Sequence, residues 1–193
     1  MITLRSFKTA DAELLVHYLN DKQTTQYITA AIPQPYTKDD ASWWIEHANS
    51  SSPTDVIIKG IEFNGVMVGC ISATAGRFEY NRSAELGYWI GRIPLNKEPL
   101  SKESSDKKSL SKEWPNKELW NQGIGTKALS LFVEELNNTT DFARLFVSVV
   151  ACNGASIRVL EKNGFTFDGL LKQASYKNGE FYDECMMSRI FAK

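Results

Sequence analysis

Apolar residues recur at two different periods along the chain, and each change of period marks a predicted element. Runs rich in β-branched residues predict strands, whereas helical spacing after a capping residue predicts a helix. Strands are predicted over residues 2–6, 55–63, 66–74, 82–91, 144–150 and, as a hairpin, within 169–190. Helices are predicted over residues 9–20, 37–50, 121–137 and 154–164. Asn64-Gly65 and Asn178-Gly179 are typical of tight turns between antiparallel strands.

This order of elements predicts a single α+β domain over residues 1–193, with a mixed sheet flanked by helices. The segments Ala84–Ile90 and Arg144–Val150 are joined through a helix, so they are expected to lie parallel. The remaining strands are expected to form an antiparallel meander and a closing hairpin.

The segment Arg92–Glu118 interrupts this pattern, because it is rich in Lys, Ser and Glu and has no periodicity. Such a composition buries too little apolar surface to offset the entropy lost on ordering. We therefore expect a mobile polar insertion at about 92–118. A lid over a functional site is the alternative.

Composition and charge narrow the classes of function. Lys and Arg total 22 against 23 Asp and Glu, so overall charge favours neither nucleic acid nor an anionic membrane as a partner. No run of apolar residues is typical of a signal peptide or membrane span. The scattered Cys70, Cys152 and Cys185 indicate reduced thiols in a cytoplasmic protein, and Cys152 is expected to be buried. His17 and His47 lie far apart, so no metal site is expected.

Two glycines stand at the start of the third predicted helix, within the sequence Gln122-Gly123-Ile124-Gly125-Thr126. The first turn of a helix has unpaired N–H groups, which a phosphate or pyrophosphate can satisfy. Glycine lets the anion approach the backbone closely. By itself the pattern is equally typical of a tight turn, and the spacings of an NTP-binding loop or a dinucleotide fingerprint are absent.

A second motif, "NGASIRVLEKNGF", follows the strand at residues 144–150. Together with "LRSFKTADAELL", "AELGYWIG", "WNQGIGTKAL" and the closing hairpin, it resembles the GCN5-related N-acetyltransferases, and the RimJ/RimL branch in particular. The resemblance implies the acyl-CoA N-acyltransferase fold, in which one parallel strand pair splays apart, and acetyl-CoA as the co-substrate. The insertion at 92–118 departs from the family pattern.

The resemblance also implies which residues hold the cofactor. Pantetheine is expected between the splayed strands, where unpaired main-chain groups need partners. The residues expected to contact it through the backbone are Ile90, Gly91, Val147 and Val149. The pyrophosphate is expected on Gln122, Gly123, Ile124, Gly125 and Thr126. Asn153 is expected to bond the cofactor arm, a plain helix cap being the alternative, and Ser156 is expected near the sulfur.

The implied reaction is direct attack of a neutral amine on the acetyl thioester in a ternary complex. Glu85 is the candidate base, with a surface glutamate as the alternative reading. Ser156 is the first candidate to give a proton to the departing thiolate, and Tyr176 the second. A capping serine and a packed tyrosine are the alternatives. Ser175 stands where relatives that modify ribosomal proteins often carry Glu, which weakens the case for a shared acceptor.

The resulting hypothesis is an N-acetyltransferase whose acceptor is a protein N-terminus or a small amine. A non-catalytic CoA-binding sensor or interaction module is the main alternative, and an enzyme for longer acyl chains is a third. Dimers are common in the family, which leaves a homodimer open. Tyr27, Trp43 and Trp44 are expected to pack in the core, with an aromatic wall for the acceptor as the alternative.

Overall fold

The computed structural model describes residues 1–52, 54–92 and 118–191. The predicted insertion at 92–118 therefore lies outside the described residues, except for Arg92 and Glu118 at its two ends.

The described residues form one sheet of seven strands, in the spatial order β1-β2-β3-β4-β5-β7-β6. The strands are β1 Ile2–Arg5, β2 Val56–Phe63, β3 Val66–Ala75, β4 Ser83–Ile90, β5 Arg144–Val150, β6 Thr166–Lys177 and β7 Glu180–Ile190. Neighbours pair antiparallel except β4 and β5, which are parallel. The predicted α+β fold, with one parallel pair in a mostly antiparallel sheet, is confirmed.

Four of the five helices correspond to predicted ones, and one short helix, Lys22–Thr25, is additional. They are α1 Ala12–Leu19, α2 Lys22–Thr25, α3 Lys38–Ser50, α4 Ile124–Thr139 and α5 Gly154–Lys162. Thr37 and Asp40 form a capping box at the start of α3, in which the Thr37 Oγ1 accepts from the Asp40 N–H at 3.2 Å. Within the described residues, no helix has both the length and the apolar character needed to cross a membrane.

The helices cover both faces of the sheet. A Cβ on Gly91 would lie 2.2 Å from the ring of Tyr18 on α1, whereas a Cβ on Gly125 of α4 would lie 3.8 Å from the side chain of Ile90. Adjacent residues of a strand point to opposite faces, so α1 and the N-terminus of α4 lie on opposite sides of the sheet. The inner strand β3 is accordingly buried on both faces at Met67, Val68, Cys70, Ile71 and Ala73.

The expected core position of Trp43 is wrong. Its side chain is 64% exposed and stacks on His47, with 5.1 Å between ring centroids. The buried stripe of α3 contains Ala41 and Ile45, and a residue two positions from Ala41 points to the opposite side of a helix. Trp44, in contrast, packs partly buried against the core as expected.

The parallel pairing of β4 with β5 is short. Ladder partners run only from Ser83 with Arg144 to Glu85 with Phe146. Beyond this point both strands continue, each still paired on its outer side with β3 or β7. We call the opening between residues 86–90 and 147–150 the gap. The predicted splay of the two strands is therefore present.

A short segment that begins in the last turn of α2, residues 24–28, crosses the open end of the gap, and we call it the strap. Near the end of β4, the Arg92 N–H donates to the Thr24 Oγ1 at 3.1 Å. Beyond the end of β5, the Tyr27 hydroxyl lies 3.8 Å from the sulfur of Cys152. The strap therefore contacts the chain just beyond both diverging strands.

The side chain of Lys177 holds the strap to the β6–β7 hairpin. Its ammonium donates at 2.7, 3.2 and 2.6 Å to the main-chain carbonyls of Thr25, Gln26 and Ile28. Burial lowers the pKa of Lys177, because leaving water penalises the charged form. Three charge-assisted hydrogen bonds join segments that are about 150 residues apart in sequence.

We predict that Lys177→Met loosens the strap while the sheet stays folded, because the variant keeps the aliphatic stem but loses all three donors. Amide hydrogen exchange measured on residues 24–28 should become at least several-fold faster. The melting temperature should fall by about 2–4 °C, which corresponds to ~1 kcal/mol.

Lys172→Met on the same strand is the matched control, since Lys172 is exposed. It should change neither quantity. Unchanged exchange in Lys177→Met would show that the three hydrogen bonds do not hold the strap.

Candidate active site

On the β4 side of the gap, the main-chain groups of alternate residues lack a strand partner. The Gly91 N–H donates to the Val68 carbonyl at 2.8 Å, so it faces β3. Because main-chain groups alternate in direction along a strand, those of Tyr88 and Ile90 face the gap. The Ile90 carbonyl accepts from the indole Nε1 of Trp120 at 3.0 Å, which anchors the loop before α4. Of the two predicted contacts on β4, Ile90 therefore faces the gap and Gly91 does not.

On the β5 side, the same alternation selects other residues than the expected ones. β5 pairs with β7 without interruption, and the Ala151 N–H donates to β7 at 2.8 Å. Odd-numbered residues of β5 therefore direct their main-chain groups to β7, and even-numbered ones direct theirs to the gap. The expected contacts Val147 and Val149 belong to the first set. Ser148 and Val150 supply the main-chain groups that enter the gap.

The two glycines before and within α4 leave an open space at the helix N-terminus. Gly123 has φ +75°, and a Cβ there would meet no atom within 4 Å. Such a φ is left-handed, which explains why α4 begins at Ile124 and not at the predicted Asn121, whose own φ is 62°. The described part of the chain supplies α4 with no side-chain cap, and its first turn carries no acidic residue. The first-turn N–H groups therefore suit an anion.

The loop leading to α4 is held by its own side chains. The Gln122 amide donates to the Glu118 carbonyl, and the Glu118 carboxylate pairs with Arg92 at 2.8 Å. Ile124 buries its side chain, and the Thr126 carbonyl accepts from the Nδ2 of Asn163 on α5 at 3.2 Å. The predicted phosphate-binding residues are thus brought together, with the Gln122 side chain bracing the loop.

Asn153 and Ser156 meet in the first turn of α5. The Asn153 Oδ1 accepts from the Ser156 N–H at 3.1 Å, so Asn153 is the helix cap that the alternative reading expected. The Ser156 hydroxyl lies 2.7 Å from the hydroxyl of Tyr88, which also donates to the Ser156 carbonyl at 3.2 Å. Burial raises the pKa of Tyr88 to about 12, an effect that the hydrogen bond with Ser156 opposes.

Sequence reasoning missed Tyr88. The available signal was strand alternation: Leu86, Tyr88 and Ile90 share one face of β4, and Tyr88 carries the only hydroxyl among them. A polar group on an otherwise apolar, helix-covered face needs a hydrogen-bond partner. That partner is Ser156.

Glu85 lies at the point where the gap begins, since it forms the last parallel pair with Phe146. Its side chain is exposed. As an odd-numbered residue of β4 it points to the face opposite Tyr88. The carboxylate and the Tyr88–Ser156 pair thus flank the gap from opposite faces of the sheet.

Tyr176 is not brought to this arrangement. Its side chain is 63% exposed and packs on Phe181 near the hairpin turn, with 4.8 Å between ring centroids. Its strand β6 is separated from the gap by β7 and β5. The contacts of the described residues do not join it to Ser156 or Glu85.

Cys152 is exposed, so its expected burial is wrong. It lies in the turn after β5, where the chain leaves the sheet and the strap passes. The described residues contain no group of three or more His, Cys, Asp or Glu side chains that could hold a metal ion.

Comparison with known proteins gives one family match and several similar structures. A family model described as "Acetyltransferase (GNAT) domain" matches residues 1–98 and 110–166. The L-amino acid N-acetyltransferase AaaT of Escherichia coli (strain K12) is 29% identical over 70 residues, which are 36% of this chain and 43% of AaaT. The aligned part thus spans less than half of that relative's length.

Solved structures of similar fold cover nearly the whole chain. The microcin C7 self-immunity acetyltransferase MccE, in complex with acetyl-CoA and AMP, has a TM-score of 0.74 at 21% identity, covering 98% of this chain and 92% of MccE. RimL, a ribosomal L7/L12 alpha-N-protein acetyltransferase in complex with coenzyme A, has a TM-score of 0.71 at 21% identity, covering 98% and 93%. RimJ of Mycobacterium smegmatis has a TM-score of 0.74 at 18% identity, covering 98% and 81%.

At 18–21% identity, the similar structures show only the fold. The assignment to a family rests on the family model. It covers most of the chain and spans β4, the start of α4 and α5, the elements that surround the gap. The resemblance noted in the sequence is confirmed: the chain belongs to the GNAT acetyltransferase family.

Proposed function

We propose that the protein is a cytoplasmic, acetyl-CoA-dependent N-acetyltransferase that moves an acetyl group to a primary amine in a ternary complex. The observation that carries the proposal is the early end of the β4–β5 pairing beside the N-terminus of α4. MccE and RimL were solved with acetyl-CoA or coenzyme A, which supports the same cofactor here. Three free cysteines are consistent with a reducing compartment.

In this proposal the cofactor's diphosphate accepts from the main-chain N–H groups of the Gln122–Thr126 loop, and Gly123 leaves room for it. The pantetheine amides then take the place of the missing strand pairs. Tyr88, Ser148 and Val150 offer the main-chain groups that face the gap, together with the N–H of Ile90. Asn153 keeps its oxygen on the helix and has its amide nitrogen for the cofactor arm.

The thioester would then lie between a carboxylate on one face and a hydroxyl on the other. Glu85, directly or through water, takes the proton that the attacking amine loses as the C–N bond forms. When the C–S bond breaks, the sulfur leaves as a thiolate, and the Ser156 hydroxyl donates a hydrogen bond to it until solvent supplies its proton. We assign this role to Ser156 and not to Tyr176, because Ser156 is adjacent to the gap and Tyr176 is two strands away.

The acceptor would approach the face that carries Glu85, where α1 and the strap lie. The family names point to two kinds of acceptor: AaaT is named for L-amino acids, and RimL for the N-terminus of a ribosomal protein. Both present a primary amine. A protein N-terminus and a small amine are therefore the two acceptor classes that we propose to test.

The deciding experiment is a panel of amino acids, small amines and short peptides assayed for free thiol released from acetyl-CoA. Amine-dependent release, with the acetylated product identified by mass spectrometry, is the expected result. Coenzyme A binding without release by any amine would instead favour a binding module. Longer acyl-CoA thioesters added as competitors would measure acyl preference.

We predict that Gly123→Ala weakens coenzyme A binding by at least about tenfold, because the Cβ enters the space assigned to the phosphate. Gly65→Ala in the β2–β3 turn is the matched control. Gly65 has φ +87° and equally open surroundings, so it carries the same backbone strain outside the Gln122–Thr126 loop.

Both variants should lose a similar amount of thermal stability, of the order of 1 kcal/mol. In titration calorimetry only Gly123→Ala should lose affinity. If Gly123→Ala bound coenzyme A like the wild type, the phosphate would have to lie elsewhere.

We predict that Glu85→Gln lowers kcat by about a hundredfold, because the amide keeps the shape but cannot accept the proton of the amine. The affinity for coenzyme A should change little, since the side chain points to the opposite face from α4. Glu79→Gln, in the exposed turn between β3 and β4, is the control and should retain full activity. Wild-type kcat in Glu85→Gln would remove this residue from the mechanism.

A further inference from the structure

Tyr88 and Ser156 form a contact that the proposed function does not by itself require. They are 68 residues apart in sequence and join β4 to the first turn of α5. The phenol oxygen lies 2.7 Å from the serine Oγ and 3.2 Å from the serine carbonyl. Both hydrogen-bond partners of the phenol thus belong to one residue.

The serine hydroxyl is not needed to cap its helix. Asn153 is the capping residue of α5 and accepts from the Ser156 N–H at 3.1 Å. Serine hydroxyls within helices commonly turn back to donate to a main-chain carbonyl of the preceding turn. Here the hydrogen-bond partner of the Ser156 hydroxyl is the hydroxyl of Tyr88 instead. A purely local role in the helix therefore does not explain the contact.

The direction of the hydrogen bond follows from the chemistry of the two hydroxyls. A phenol is a much stronger acid than an aliphatic alcohol, so we take it as the donor in the short contact, where either hydroxyl could donate. Its single hydrogen then has two acceptors on Ser156, the Oγ at 2.7 Å and, more weakly, the carbonyl at 3.2 Å. When the phenol donates to the Oγ, it occupies a lone pair of the serine and leaves the serine hydrogen free to point elsewhere. A chain of two donors in one direction also strengthens the second hydrogen bond.

We propose that Tyr88 is a positioning residue, which donates to the Ser156 Oγ and so directs the serine hydrogen toward the departing thiolate. This inference rests on the proposed acetyl transfer. It requires no proton to leave Tyr88: the phenol stays neutral, the serine keeps its proton, and the thiolate charge is stabilised by the Ser156 hydrogen bond as the C–S bond breaks.

The burial of Tyr88 supports a donor that stays neutral. Its pKa is raised to about 12, so the phenol remains protonated over the range in which an amine acceptor becomes neutral. A residue that passed its proton on would be expected to have a lowered pKa. The pH profile of kcat should therefore keep the same shape when the phenol hydroxyl is removed.

The test is a double-mutant cycle of Tyr88→Phe, Ser156→Ala and the combined variant, measured as kcat and KM with an acceptor found in the amine panel. Tyr88→Phe removes only the hydroxyl. It should lower kcat by about tenfold with the KM for acetyl-CoA changed less than about twofold, because the interaction acts on the leaving group. The double variant should be no slower than Ser156→Ala, since Tyr88 acts through Ser156.

Tyr36→Phe is the matched control for loss of a buried phenol. Tyr36 is buried, burial likewise raises its pKa to about 12, and it directly precedes Thr37, the N-cap of α3. It should leave kcat unchanged. The melting temperatures of Tyr36→Phe and Tyr88→Phe show whether a loss of activity is due to loss of folded protein.

Several outcomes would overturn the inference. If the two single losses multiplied in the double variant, Tyr88 would act independently of Ser156. Wild-type kcat in Tyr88→Phe would also show that Tyr88 does not position Ser156, and so would a rise in KM with kcat unchanged. In either case, amine-dependent thiol release by the variant would leave the proposed acetyltransferase function intact. Absence of amine-dependent thiol release by the wild type would overturn both, and the wild-type assay identifies that case separately.

Discussion

The early end of the pairing between β4 and β5 is the constraint on which the rest of the site depends. Main-chain N–H and C=O groups within a sheet must be satisfied, yet beyond Glu85 and Phe146 the two strands no longer supply each other. The indole of Trp120 satisfies the Ile90 carbonyl. A bound chain of amides would satisfy the groups that remain, which is why the gap suits an extended cofactor and why a closed sheet in this place would not.

The two faces of the sheet give the gap two different environments. On one face, the uncapped start of α4 and the first turn of α5 bring main-chain N–H groups and the Ser156 hydroxyl to the opening. On the other face, which also carries α1, the Glu85 side chain is exposed. The proposed chemistry uses this separation, because the amine and the leaving sulfur then meet different side chains. Lys177 links the strap to the C-terminal hairpin.

Three polar residues that meet at the start of α5 make different hydrogen bonds. Asn153 satisfies the helix N-terminus, which frees the Ser156 hydroxyl from that task. Tyr88 then meets this hydroxyl from the neighbouring strand. Tyr88 comes from β4, Asn153 directly precedes α5, and Ser156 lies in its first turn, so their arrangement depends on how α5 packs beside β4. Removing any one partner leaves a polar group in a largely apolar place, which costs stability as well as geometry.

The sequence by itself determined the strands, four of the five helices, the parallel crossover and the two glycines near the start of α4, because periodicity, turn dipeptides and capping residues act over a few neighbours. Through its motifs it also identified Glu85, Ser156 and Asn153 as candidate site residues. Only the tertiary structure decided which main-chain groups face the gap, since this depends on strand register: it selected Ser148 and Val150 over Val147 and Val149. Contacts between distant segments, Tyr88 with Ser156 and Lys177 with the strap, likewise arise from packing, which no local pattern encodes.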